Sequence, residues 1–157
     1  MARSDEFEVK REATMDASRA AVYAHLVDFH RWRDWSPWED LDPNLSRTYS
    51  GPDAGVGATY QWAGNRKAGA GRMEITRAEE PSQVQIALQF LKPFKSSNTI
   101  TFDLVERDGR THVTWRMVGP KTLMTKVMGL FTSMDKVVGK DFETGLDRLR
   151  DVASKSS

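Results

Sequence analysis

The stretch SNTITFDLVERDGRTHVTWRMV, residues 97–118, decides the fold. Ile100, Phe102 and Leu104 alternate with Thr101 and Asp103; after them Val113, Trp115 and Met117 alternate with Thr114 and Arg116. A period of two puts each set on one face of a strand. Between the runs stands Asp108-Gly109, a pair that tolerates the positive φ a tight hairpin turn demands. The segment therefore predicts an antiparallel hairpin with one apolar and one wet face, the pattern of a sheet packed on a single side.

Towards the N-terminus the alternation recurs. Val84, Ile86, Leu88 and Phe90 share a face in Val84–Leu91, as do Met73 and Ile75 in Gly71–Ala78, and Tyr60 and Trp62 in Ala58–Trp62. Further strands are predicted at Leu45–Ser50 and from Phe7 to Ala13, where Phe7 and Val9 face together. The separators Gly51-Pro52-Asp53, Gly64-Asn65, Glu80-Pro81 and Lys92-Pro93 are turn chemistry. Connections this short make neighbouring strands antiparallel. The opposite faces carry Arg72, Glu74, Gln85, Asp103, His112 and Arg116. Glu74 and Asp103 would turn inward only where a bulge shifts the register.

Beyond Pro120 the period changes. From Lys121 to about Val152, Met124, Val127, Met128, Phe131, Met134, Val138, Phe142, Leu146 and Leu149 advance by threes and fours, so one apolar stripe of a long helix faces the sheet. Gly129, Gly139 and Gly145 interrupt it, each at a cost of about 1 kcal/mol relative to Ala, which predicts close backbone packing or a bend. The small, polar residues 153–157 are expected to fray. Near the N-terminus Asp16 and Ser18 can cap a short helix bearing Val22, Leu26 and Phe29 on one stripe. It is followed by HRWRDWSPWEDLDPN, residues 30–44, whose three tryptophans and two prolines follow neither period and predict a loop or a single helical turn.

At 157 residues the chain predicts one domain over residues 1–157. Lys+Arg (23) nearly balance Asp+Glu (22), a net charge of +1, so no global field gathers nucleic acid or a membrane surface. The absence of cysteine excludes disulfides, thiolate metal sites and thiol nucleophiles. Charges fill the N-terminal stretch where a signal peptide needs an apolar run, and no run approaches the ~18–20 apolar residues of a membrane span. A cytoplasmic location without nucleic-acid binding or stable membrane insertion is the expectation.

Catalytic signatures are missing. His25, His30 and His112 have neither HExxH spacing nor a triad arrangement, and no serine sits in a GxSxG elbow. The glycine stretch 64–71 lacks the Lys-Ser/Thr of a phosphate cradle and reads as a hairpin loop. No catalytic residue, metal ligand or cofactor is assigned.

Four local stretches point to a family: Trp35-Ser36-Pro37-Trp38, residues 55–62 (GVGATYQW), Gly71-Arg72-Met73-Glu74-Ile75, and residues 139–149 (GKDFETGLDRL). With them the chain resembles the START-like superfamily, and within it the polyketide cyclase/dehydrase-like (SRPBCC) branch, from Phe7 to Leu149. The resemblance implies an α+β helix-grip fold. In it a curved antiparallel sheet of about seven strands wraps a long C-terminal helix, a short helix lies between strands one and two, and a cavity separates sheet from helix. The superfamily includes carriers of lipids and other apolar molecules, cofactor-free cyclases, oxygenase subunits and chaperone-activating domains, and fold analogy does not choose among them. Its iron-bearing oxygenases need clustered His with a carboxylate, which this sequence lacks.

Given such a cavity, the apolar face supplies its lining: Tyr60, Trp62, Met73, Phe90, Trp115, Met117, Met124, Met128, Phe131 and Met134. The same residues also fit a closed core. The Tyr60 hydroxyl, the Trp62 and Trp115 indole N–H groups and Asn98 are candidate polar anchors. Trp35 and Trp38 fit either a lid at the cavity mouth or a satellite core plugging one end of the sheet. Arg31, Arg33, Asp34, Glu39 and Asp40 read as a solvated charge mixture. Three functions follow, in order: a binding protein for a small, largely apolar molecule, lipid-like or polyketide-like; a cofactor-independent cyclase, dehydrase or isomerase using the same cavity; and a module that binds a protein partner.

Overall fold

The computed structural model describes residues 6–66, 68–92, 95–120 and 134–156. The elements are β1 (Glu6–Met15), α1 (Arg19–Leu26), two short 3-10 helices (Phe29–Asp34 and Pro37–Asp40), β2 (Ser46–Ser50), β3 (Thr59–Ala63), β4 (Ala70–Glu79), β5 (Gln83–Lys92), β6 (Ser96–Arg107), β7 (Arg110–Pro120) and α2 (Met134–Ser156). The seven strands form one open sheet in the order β1-β7-β6-β5-β4-β3-β2. Every neighbouring pair is antiparallel. Strands β2 to β7 are a meander, and β1 closes the far side against β7. This is the helix-grip arrangement that the sequence implies.

The deciding hairpin forms as its residues require. Asp108 and Gly109 take φ values of 53° and 78°, and Arg107 pairs with Arg110 across them, a two-residue turn with both central residues left-handed. Ile100, Phe102, Leu104, Val113, Trp115 and Met117 are buried on the inner face. A register shift does occur between Ile75 and Arg77, but it lies beyond Glu74, which stays outside in an ion pair with Arg72 at 3.0 Å. Asp103 likewise remains outside and accepts a hydrogen bond from Gln83 Nε2 at 2.8 Å.

Helix α2 lies on the inner face. Phe142 stacks flat on Trp115, with centroids 4.0 Å apart and planes 7° apart, and Leu146 and Leu149 are buried beside it. Its two described glycines answer to close approach. A Cβ on Gly145 would stand 2.8 Å from Trp115 Cζ3 and 3.1 Å from Pro37 Cδ, and one on Gly139 would overlap the Arg11 guanidinium. Gly129, Met124, Val127, Met128 and Phe131 lie outside the described residues, as does the whole predicted segment 121–133. At the other end the expected fraying is corrected: α2 runs to Ser156 and Ala153 is fully buried. Leu146, Leu149 and Ala153 are three and four apart, so the stripe continues into the tail.

The tryptophan-rich stretch is neither a plain loop nor one turn. Ser18 caps α1, its Oγ accepting from the Ala21 N–H at 3.1 Å. The other end of α1 leaves carbonyls without helical partners. Trp32 Nε1 donates to the Leu26 carbonyl at 3.0 Å and Trp35 Nε1 to the His25 carbonyl at 3.1 Å. These two bonds tie the first 3-10 helix and the residue after it back to the end of α1. Backbone bonds such as Arg31 N–H to the Asp28 carbonyl at 3.0 Å and Leu41 N–H to the Trp38 carbonyl at 3.4 Å form the 3-10 turns themselves.

Candidate functional site

A cavity of about 360 Å³ opens between the inner sheet face, the second 3-10 helix and α2. Strands supply Tyr60, Trp62, Met73, Leu88, Phe90 and Met117; the 3-10 region supplies Trp32, Ser36, Trp38, Glu39 and Leu41; α2 supplies Val138 and Asp141. The strand residues share the space because alternation points them inward from the adjacent strands β3, β4 and β5 and from β7, on the far side of β6. Trp62 reaches across its register partner Gly71, where a Cβ would collide with the indole. Its Nε1 donates to the Ala68 carbonyl at 2.9 Å, which draws the loop after β3 to the rim, and Phe90 meets its ring edge-on at 6.1 Å.

Of the expected lining residues, Tyr60, Trp62, Met73, Phe90 and Met117 border the cavity. Trp115 is corrected. It is fully buried beneath the cavity, boxed by Trp35, Trp38, Phe102 and Phe142, and is absent from the lining described. Met124, Met128 and Phe131 lie outside the described residues, and Met134 opens α2. The lid expectation divides. Trp35 is fully buried, and its N–H is held by the His25 carbonyl rather than by water, so it is core. Trp38 does border the cavity, with Nε1 donating to Asp141 Oδ2 at 3.1 Å, and thereby joins the 3-10 helix to α2.

The polar anchors differ from the expectation as well. The Trp62 N–H is engaged by Ala68, and Asn98, though buried, is not among the lining residues described. The Tyr60 hydroxyl donates to Glu39 Oε2 at 2.8 Å. Glu39 is the residue the sequence reading misplaced: instead of standing in water, it turns inward with a side chain 9% exposed. Arg47, on β2, holds it there, with Nε 2.8 Å from Oε1 and Nη2 3.3 Å from the Glu39 carbonyl. Such a buried carboxylate is tolerated only because a guanidinium and a phenol satisfy it. Burial, and then the Glu39 charge and its hydrogen bond, push the Tyr60 phenol well above its ordinary range, so it stays protonated and serves as a hydrogen-bond donor to the carboxylate.

The histidines remain apart. His25 is buried in the last turn of α1, where burial foremost lowers its pKa; His30 bonds Asp28 and stacks on Tyr49; His112 meets Glu12 at 2.6 Å and Thr14 at 3.1 Å on the wet face. Among the described residues no cluster of His, Asp and Glu is arranged to hold a metal ion, and no helix is long and apolar enough to cross a membrane.

The sequence profile of a family described as "Polyketide cyclase / dehydrase and lipid transport" matches residues 6–154. No curated protein matches the chain by sequence. Among solved structures it is similar to protein MLL2253 from Mesorhizobium loti, at 12% identity and a TM-score of 0.70, with 96% of this chain and 99% of that one covered. It is similar to protein Ms6760 from Mycobacterium smegmatis, at 19% identity and a TM-score of 0.64, covering 100% and 97%. It is also similar to Ara h 8.0201, at 12% identity and a TM-score of 0.59, covering 96% and 97%. At such identities the likeness concerns the fold alone.

Proposed function

Because the chain belongs to the polyketide cyclase/dehydrase and lipid transport family, we propose that it binds a small, largely apolar molecule in the cavity between its sheet and α2. The observation that carries this reading is the cavity itself, of about 360 Å³ and lined by aromatic, Met and Leu side chains with a few polar groups among them. Sites for small molecules have this size and this mixture. The driving term is burial of ligand surface, at roughly 25 cal/mol per Å² before ordering costs are subtracted.

The test uses N-phenyl-1-naphthylamine, a neutral fluorophore that brightens in apolar surroundings. The expected result is saturable binding that Val138→Trp, which places an indole at the cavity wall, weakens at least tenfold while circular dichroism stays unchanged. Absence of saturable binding, or binding indifferent to the filled cavity, overturns the reading. Native mass spectrometry of freshly purified protein then asks what the cavity held in the cell.

One observation favours a second reading, a cofactor-independent cyclase, dehydrase or isomerase. The carboxylate of Glu39 lies within the cavity lining, oriented by Arg47 and Tyr60, and a positioned carboxylate is what acid/base chemistry needs. Incubating a molecule recovered from the protein with wild type and with Glu39→Gln distinguishes the two: turnover lost in the variant supports an enzyme, and return of the molecule unchanged by both supports a carrier.

A further inference from the structure

The polar groups around the cavity sort by hydrogen-bond sense. Among the described residues four aromatic donors line it, and all four are engaged within the protein: Trp32 Nε1 by the Leu26 carbonyl at 3.0 Å, Trp38 Nε1 by Asp141 Oδ2 at 3.1 Å, Trp62 Nε1 by the Ala68 carbonyl at 2.9 Å, and the Tyr60 hydroxyl by Glu39 Oε2 at 2.8 Å. An ionised carboxylate accepts only, so the Tyr60 and Trp38 hydrogens are committed. What these groups leave towards the cavity is acceptor capacity: lone pairs on Glu39 and Tyr60, and the Asp141 carboxylate, whose Oδ2 accepts from the Trp38 N–H. Ser36 is buried at the same wall, and its hydroxyl can turn either way. Arg47 reaches Glu39 through Oε1 and the backbone carbonyl and is not among the lining residues described.

We infer that the ligand brings the missing donor: an apolar body ending in an amine or a hydroxyl group, which meets Glu39 and Asp141, while amphiphiles ending in a carboxylate are discriminated against. The inference rests on the binding reading above and adds the chemistry of the ligand's polar end. An ammonium or hydroxyl group supplies hydrogens to acceptors that otherwise face an apolar space. A carboxylate supplies none. It also sets a third negative charge against two carboxylates, of which Arg47 neutralises one, in a site where water screens poorly.

Decylamine, decan-1-ol and decanoate share one chain length and differ only at the end, and each is used to displace N-phenyl-1-naphthylamine from the wild-type protein near pH 7. The expected order is decylamine tightest, decan-1-ol next, and decanoate at least tenfold weaker than decylamine. Asp141→Asn keeps an acceptor for the Trp38 N–H while removing the charge, and is expected to narrow the gap between amine and carboxylate at least threefold. Glu39→Gln is expected to narrow it too, with circular dichroism confirming that the fold survives. Decanoate binding as tightly as decylamine, or a gap that Asp141→Asn leaves untouched, overturns the inference while leaving the binding reading intact. A fluorophore that never binds overturns both.

Discussion

Replacing each of two glycines in one helix by alanine should move stability in opposite directions. Gly139 and Gly145 both lie within α2, so each Gly→Ala change gains about 1 kcal/mol of intrinsic helix propensity. The surroundings then separate them. At Gly145 the new methyl stands 2.8 Å from Trp115 Cζ3 and 3.1 Å from Pro37 Cδ. Trp115 has nowhere to go, since Phe142 stacks on it at 4.0 Å and Phe102, Trp35 and Trp38 close in at 4.9, 5.5 and 5.6 Å. Overpacking a well-filled core costs about 1–3 kcal/mol, and a rigid indole calls for the upper part of that range. The net expectation is a loss of about 1–2 kcal/mol once the propensity gain is subtracted. At Gly139 the atoms in the way are the far end of Arg11, a flexible side chain. Displacing it breaks the Arg11–Glu143 pair at 2.8 Å, whose carboxylate is 61% exposed, and such pairs are worth about 0–1 kcal/mol. Gly139→Ala is therefore expected to be neutral or to gain up to about 1 kcal/mol. Urea unfolding with a common slope reads both as midpoints. A Gly145→Ala midpoint equal to or above that of Gly139→Ala would refute the close approach of α2 to Trp115.

Three further outcomes follow from the same packing. Trp115→Ala is expected to cost about 3–5 kcal/mol of stability, whereas Phe90→Ala, at the partly open cavity wall, should cost less and weaken fluorophore binding more; equal effects on both readouts would place Trp115 in the wall after all. Tyr23, Tyr49 and Tyr60 all have pKa values raised, first by burial, so tyrosinate absorbance in the native protein should lag behind that of the urea-unfolded chain. The unfolded phenols lose protons near 10 while the folded ones retain them, so this contribution to stability is complete below pH 10 and declines above it; coincident titration curves would contradict the burial. Burial, followed by the nearby Arg31, lowers the pKa of His25, so its contribution is present above the ordinary histidine value of about 6.5 and is lost as pH falls. His25→Gln should flatten the dependence of the urea midpoint on pH between 7 and 5, and an unchanged slope would remove His25 from the account.

Much of this fold was legible along the chain because strands and helices announce themselves through local periods. The alternation of Val113, Trp115 and Met117 fixes which side of β7 is inner without knowledge of its neighbours. Asp108-Gly109 dictates the turn because few other residue pairs accept two positive φ values. The spacing of Phe142, Leu146 and Leu149 likewise identifies the buried stripe of α2. For the same reason the inward residues of the strands, Tyr60, Trp62, Met73, Phe90 and Met117, could be named in advance as a cavity wall.

The sequence by itself determined the succession of strands and helices along the chain, which strand and α2 residues face inward, and the family. Only the tertiary structure decided which aromatic rings leave room and which fill it, and where a charge hides. Trp35 and Trp38 are three residues apart with similar neighbours, yet one is sealed by the His25 carbonyl and Trp115 while the other borders a cavity. Glu39 sits in a charged stretch that looks solvated, and becomes a cavity residue only when β2 brings Arg47 and β3 brings Tyr60 to its two oxygens. Periodicity records the geometry of one segment, whereas the burial of a polar group depends on partners from other segments that satisfy it, and no pattern local to residues 30–44 carries that information.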